Sequence, residues 1–321
     1  MRDIQTILLQ DSARLTETLG LDPGSARIEV QCLLQLVLNV TRAYLPTHPE
    51  RRLNKPEQAR YDELLQRRLS GEPIAYLLGE REFFGLVFKV TPATLIPRPE
   101  TELLVELALQ RIPSSSTPLP QPASPPSLRS PRKRERVADR PGEGLEKRNF
   151  SVLDLGTGSG AIALAIAHAR PDVTVLACDA STAALEVARD NAQRLGVANV
   201  ASVLSDWFQA LAEKRFDIIV ANPPYVAAGD PHLAQGDVRF EPLSALVSGG
   251  DGLHDIRHII STANHHLQAG GWLLIEHAYD QAARVRELLQ QAGFDQVFSA
   301  PDLAGIERVS GGCLTINSAH Q

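Results

Sequence analysis

"SVLDLGTGSGAIALAIAHA", residues 151–169, decides the fold. Ser151 to Leu155 is a short β-prone run, Gly156, Gly158 and Gly160 break it, and an alanine-rich helical run follows at once. A strand that turns through glycines into a helix is the first half of a strand-helix-strand unit. The unit then repeats. "VTVLACD" reads as a strand, "STAALEVARDNAQRLG" as a helix, and "VASVLSD" and "FDIIVANPP" as further strands. A helix over about 253–268, the strand "WLLIEHA", the helix "DQAARVRELLQQAG" and terminal strand material complete the series. Such alternation predicts an α/β fold with a mostly parallel sheet covered by helices on both faces, whose ligands bind at the carboxyl ends of the strands.

Upstream the texture differs. "IQTILLQDSARLTETL" and "ARIEVQCLLQLVLNVTRAYL" place apolar residues three and four apart, and "PEQARYDELLQRRL" opens on a proline suited to a helix start, so residues 1–80 form a small helical domain. "REFFGLVFKV" predicts a hairpin about its glycine, and "RPETELLVELALQRI" a helix with acids in its first turn, together spanning 81–112. Residues 113–149 are rich in proline, serine and charge and have almost nothing to bury, which predicts a disordered linker. The basic cluster "RKRER" within it reads as a solvated charge run. Residues 150–321 carry the strand-helix repeat.

Bulk properties exclude several function classes. A chain of 321 residues suggests two domains, and a formal charge of -6 provides no general basic field for nucleic acid. Cys32, Cys178 and Cys313 lie far apart without a CxxC pair, against both a disulfide framework and a zinc site and in keeping with a reducing cytoplasm. No apolar run approaches the ~18 residues of a membrane span. His254, His258, His265, His266 and His277 show no ligand spacing, so surface or helix-capping roles are expected and no metal.

Four strand ends carry the candidate chemistry. The turn Gly156-Thr157-Gly158-Ser159-Gly160 has the spacing GxGxG, which departs from the dinucleotide pattern GxGxxG and suits a cofactor without a pyrophosphate. Asp179 ends the second strand, where a carboxylate accepts from two ribose hydroxyls; capping the next helix is its other reading. Asp206-Trp207-Phe208 ends the third, offering an acceptor and flat rings for an adenine, with a plain core role as the alternative for Phe208. Together these suit S-adenosylmethionine. Asn222-Pro223-Pro224-Tyr225 ends the fourth strand, beside the expected methyl group. A planar amide nitrogen is a poor nucleophile, and holding both of its protons on the Asn222 side-chain oxygen and the Pro223 carbonyl would aim it. The prolines fix φ and donate nothing, and Tyr225 would pack on the planar group and exclude water.

"DLGTGSGAIALAIA", "SDWF" and "NPPY", with "IPRPETELLVE" and "QGDVRFEPLSALVSGGDGL", closely resemble the HemK/PrmC-type protein-(glutamine-N5) methyltransferases of peptide chain release factors. The resemblance spans nearly the whole chain. It implies a Rossmann-like class I S-adenosylmethionine-dependent methyltransferase sheet, with Gly156 to Gly160, Asp179, Trp207 and Asn222 on the cofactor. Asn222 to Tyr225 would hold the glutamine of the release factor's Gly-Gly-Gln loop, Arg98 and Glu100 would shape the pocket, and the helical domain would dock the release factor. A cytoplasmic monomer that touches neither membrane nor nucleic acid directly is the expectation. The 113–149 insertion departs from the family. The rival readings are glutamine methylation of a large-subunit ribosomal protein, which "PRPETE" disfavours, and methylation of an adenine or guanine base, which the negative charge disfavours.

Overall fold

The computed structural model describes residues 1–113 and 149–315, so the linker read over 113–149 lies almost wholly outside the described residues. The helical domain comprises α1 (Ile4–Leu19), α2 (Pro23–Leu38), α3 (Tyr44–Thr47), α4 (Lys55–Leu69) and α5 (Ile74–Leu78). Local signals set these bounds. Asp3 caps α1 by accepting from Thr6 N at 2.8 Å, and Asn54 and Glu57 form a reciprocal capping box on α4. Ile4, Ile7, Leu15, Val30, Leu33, Leu34, Leu65 and their neighbours bury a core belonging to this domain alone.

The predicted hairpin is β1 (Glu80–Phe83) against β2 (Leu86–Lys89). Its two turn residues, Phe84 and Gly85, both have left-handed φ, of 53° and 74°, as a tight two-residue hairpin turn requires. Pro99–Thr101 then makes a 3-10 turn into α6 (Glu102–Arg111).

The second domain runs β3 (Ser151–Leu155), α7 (Ala161–Ala169), β4 (Thr174–Asp179), α8 (Thr182–Leu195), β5 (Val200–Leu204), β6 (Phe216–Ala221), α9 (His254–Ala263), β7 (Leu267–Glu276), α10 (Ala282–Gln291), β8 (Asp295–Pro301) and β9 (Glu307–Cys313). The sheet order is β5-β4-β3-β6-β7-β9-β8, parallel from β5 to β7, with β9 antiparallel to β7 and to β8. Every residue of β6 is buried, and the two-residue period of a strand divides them. Ile218 and Val220 join the core beneath α6, α7 and the hairpin, while Ile219 and Ala221 join the core beneath α9 and α10. β3 has β4 on one side and β6 on the other, so the chain reverses direction across the sheet there and opens a crevice at the strand ends.

Two expectations need correction. The helix read over 253–268 ends at Ala263, and Leu267 already begins β7. His266 and His277 are buried, neither on the surface nor capping a helix: His266 Nδ1 pairs with Lys214 O at 3.0 Å and its ring stacks on Phe208, while His277 lies between Ala278 O and Ser310 Oγ, both at 2.8 Å.

Candidate active site

Leu155 of β3 pairs with Cys178 of β4 and Ala221 of β6, and Ala221 pairs with Ile275 of β7. The register therefore brings Gly156, Asp179, Asn222 and Glu276 side by side along the crevice.

At the first strand end, Gly156, Gly158 and Gly160 all have left-handed φ, of 72°, 56° and 83°. One of them, Gly160, also needs the missing side chain for space. A Cβ on Gly160 would come within 3.2 Å of the Ala188 Cβ, so this glycine lets α8 close on the turn. A Cβ on Gly156 would sit 3.5 Å from the Trp207 ring, which places that indole against the turn's backbone. Around Gly158 there is open space. Thr157 and Ser159 are buried and brace the turn from within: Thr157 Oγ1 donates to Asp154 Oδ2 at 2.6 Å, and the Ser159 carbonyl accepts from Asn191 Nδ2 at 2.9 Å. Asn191 also bonds both backbone groups of Lys89 and so ties the hairpin to the turn. Asp154 is fully buried, and that burial pushes its carboxyl up to about 7.

Asp179 Oδ2 accepts from Gly158 N and Oδ1 from Ser181 N, each at 2.8 Å. Ser181, in turn, caps α8 through Ala184 N, so the capping alternative for Asp179 falls to its neighbour. Burial raises the Asp179 carboxyl while those backbone N–H bonds lower it. The carboxylate keeps acceptor capacity for a hydroxyl donor. At the third strand end the aromatic pair splits. Trp207, held at a left-handed φ of 47°, is half-buried beside the glycines, whereas Phe208 is a core residue stacked on His266. Asp206 is exposed and accepts from Gln209 Nε2 at 3.0 Å.

The corner after β6 is half-buried, and Pro223 is fully so. Asn222 Nδ2 donates to Thr101 Oγ1 at 3.2 Å, while its Oδ1 is buried without a partner. The Tyr225 carbonyl accepts from Gln281 Nε2 at 3.1 Å, and Val226 pairs with Leu246 and Ser248, which fixes the corner's exit. Burial pushes the Tyr225 phenol well above its ordinary range, so it stays neutral. Glu276, at the end of β7, is 2% exposed and Oε2 has no partner; burial pushes its carboxyl up to about 7.

Two motifs far apart in sequence meet at this crevice. The buried Glu241 of "RFEP" accepts from Ile96 N at 3.1 Å and pairs with Arg98 of "IPRPE". Arg98 is thus committed to a carboxylate at the crevice wall, while Glu100 is exposed. Glu276, Thr101, Asn191, Gln281 and Glu241 were not singled out from sequence. For Glu276 the signal was present: it is a carboxylate at the carboxyl end of a core strand, as Asp179 is.

An S-adenosyl nucleoside fits these residues on three observations: the open backbone at Gly158, the carboxylate of Asp179 with lone pairs to spare, and a half-buried indole beside the turn. A model of the methyltransferase small domain matches residues 143–252, and one of the PrmC N-terminal domain matches residues 8–79. The release factor glutamine methyltransferase of Bordetella pertussis is 46% identical over 301 residues, covering 94% of this chain and 99% of its own. That of Pseudomonas aeruginosa is 46% identical over 289 residues, covering 90% and 93%. A solved protein-(glutamine-N5) methyltransferase (release factor-specific) from Alicyclobacillus acidocaldarius aligns at 26% identity over 71% of this chain and 100% of its own, with a TM-score of 0.38. The chain belongs to the release factor glutamine methyltransferase family, and its cofactor is S-adenosylmethionine.

Proposed function

We propose that the enzyme methylates the side-chain amide nitrogen, N5, of the glutamine in the Gly-Gly-Gln loop of peptide chain release factors, and so tunes translation termination. The observation that carries this reading is Asn222 Oδ1, a buried acceptor without a partner just past the carboxyl end of β6. A buried acceptor left unpaired costs roughly 1–3 kcal/mol, a cost that an incoming N–H donor offsets. A primary amide brings two N–H groups. Asn222 Oδ1 takes one and the Pro223 carbonyl the other, which turns the nitrogen's lone pair toward the methyl group. S-adenosylmethionine, when bound on Gly156 to Gly160, Asp179 and Trp207, supplies that methyl as an electrophile.

Pro223 and Pro224 hold the corner stiff, and Gln281 anchors it through the Tyr225 carbonyl. The neutral Tyr225 ring packs on the substrate amide and excludes water. A methylated amide cation is strongly acidic, so its extra proton leaves without a strong base. The helical domain docks the release factor, and the names of the relatives support that class of partner. The enzyme acts as a cytoplasmic monomer without direct contact to nucleic acid; no described helix is long and apolar enough to cross a membrane.

The test is mass spectrometry of an unmethylated release factor after incubation with the purified enzyme and S-adenosylmethionine. A gain of one methyl on the glutamine of the Gly-Gly-Gln peptide is expected. No gain, with cofactor binding intact, overturns this substrate and points to a ribosomal-protein glutamine, then to nucleic-acid bases.

A further inference from the structure

The side chain of Asn222 has two ends of opposite polarity, and only one of them accepts from a substrate N–H. A flipped amide would present N–H against N–H. Something must therefore fix its orientation. The register places Glu276 of β7 directly beside Asn222 of β6, since Ala221 and Ile275 are the last paired residues of the two strands. Thr101, in the turn before α6, covers the same point, with its Oγ1 at 3.2 Å from Asn222 Nδ2. A threonine hydroxyl that accepts from Asn222 has its own hydrogen to give, and the Glu276 carboxyl lies against both side chains.

We propose that Thr101 and Glu276 are positioning residues that hold the Nδ2 end of Asn222 and thereby aim its Oδ1 at the substrate amide. This rests on the reading of Asn222 as acceptor of that amide. An ionised carboxylate can only accept, so it polarises the chain from Asn222 Nδ2 through Thr101 Oγ1 in one direction. Protonated, the same group can donate to Asn222 Oδ1 and occupy the acceptor that the substrate needs. Structural economy does not explain this carboxyl: it is 2% exposed, Oε2 is unpartnered, and its burial opposes folding in the charged form.

The proposal implies a pH dependence. Burial is the largest influence on Glu276 and raises its carboxyl to about 7; Thr101 hydrogen bonding opposes the rise, Glu100 adds to it, and Arg308 and Asn222 oppose it. Tyr225, neutral throughout, faces the same group, and Arg98 lies near it. Methyl transfer should then fall as pH drops through about 7.

The test uses the full chain with Glu276→Gln, Thr101→Val and Thr101→Ser. The wild-type kcat should show the low-pH limb. Glu276→Gln should lose that limb and about tenfold or more in kcat, with the Kd for S-adenosylmethionine changed by less than about twofold. Thr101→Val should fall similarly and Thr101→Ser recover, because serine restores the hydroxyl. At pH 8 the melting temperature of Glu276→Gln should equal or exceed that of the wild type, since a buried charge is removed. An unchanged kcat and pH profile in Glu276→Gln, or a serine variant as impaired as the valine, overturns the proposal. A second readout needs no substrate: the two side-chain amide protons of Asn222 should be distinct and exchange-protected in nitrogen-15 spectra, and should lose protection in Glu276→Gln and Thr101→Val. Retained protection in both variants overturns the proposal even if the substrate is not a release factor, whereas protection lost as expected in a protein inactive on release factors overturns only the substrate.

Discussion

Arg68 of the helical domain reaches Asp237 of the methyltransferase domain, with Nη1 3.0 Å from Oδ1, while its Nε and Nη2 grip Glu29 on α2 at 2.7 and 3.2 Å. Arg239, two residues on, donates to the Ser70 carbonyl, and Glu241, two further, pairs with Arg98. One short segment thus ties the helical domain to the wall of the crevice. Arg68 is 2% exposed, so Arg68→Ala removes a buried cation and leaves Glu29 unpaired; a loss of about 3 kcal/mol in stability is expected by denaturant unfolding. Asp237→Asn neutralises only a half-exposed partner and should leave the melting temperature within a few degrees, while raising KM for the release factor. A KM equal to wild type in Asp237→Asn refutes the coupling.

Asn222→Ala deletes both ends of the amide. A preorganised polar group that orients the reacting atoms is worth about a hundredfold or more in kcat, and that loss is expected here. The effect on the Kd of S-adenosylmethionine, measured by calorimetry, should be smaller. Turnover near the wild-type rate would remove Asn222 from the mechanism.

Asp179→Ala acts at the other end of the crevice. The carboxylate accepts from Gly158 N and Ser181 N, and in the proposed role it also accepts from the ribose, so its loss would both unpin the glycine turn and remove the hydroxyl acceptor. Hydrogen bonds to a charged group contribute about 1.5–3 kcal/mol, so Kd for the cofactor should rise roughly 10- to 100-fold. Saturating cofactor should restore most of kcat; a kcat still low at saturation would contradict a binding role.

Much of the sheet was readable because glycines and polar residues punctuate its strands. The glycine turn, Asp179 and Asn222 each stand where a strand stops, and strand ends in a parallel sheet point to one crevice. The end of α9 was not readable, for a physical reason: Ile259, Ile260, Ala263 and Leu267 keep helical spacing across the break, although Leu267 is buried by β7 pairing. The contacts of Glu241 with Ile96 and Arg98 join residues more than a hundred positions apart, and no local pattern encodes such a pair. Burial of His266 and His277 likewise follows from tertiary packing, since a single histidine carries no periodicity.

Gly252 has a left-handed φ of 73°, and a Cβ there would lie 2.3 Å from the Tyr225 carbonyl oxygen and 2.8 Å from Gln281 Nε2. Alanine at this position must push the corner away from its anchor, in addition to the roughly 1–2 kcal/mol cost of the backbone conformation. Gly252→Ala should therefore lower kcat roughly 10- to 100-fold, as small displacements of positioning groups do. Cofactor affinity should be little changed because the glycine turn lies elsewhere. A folded Gly252→Ala enzyme with full kcat would show that the Tyr225 carbonyl anchor does not govern the corner.

Asp154 gives a prediction about stability alone. Its Oδ2 accepts from Thr157 Oγ1 at 2.6 Å and Ala163 N at 3.2 Å, while Oδ1 is buried without a partner. Burial raises the folded-state carboxyl to about 7, against about 4 in an unfolded chain. Between those values the folded protein holds a proton that the unfolded chain has released, so this group's contribution to stability is full below about pH 4 and is lost as pH rises through about 7. Asp154→Asn keeps an oxygen for Thr157 and Ala163 and cannot ionise. Its melting temperature relative to wild type should accordingly be more favourable at pH 8 than at pH 5. The Glu276→Gln substitution provides a common background for both proteins, because it removes the other buried carboxyl raised to about 7. A difference between the two proteins that stays constant from pH 5 to pH 8 would mean that Asp154 carries the same charge in the folded and unfolded chain, and that its buried oxygen is stabilised by something other than a proton.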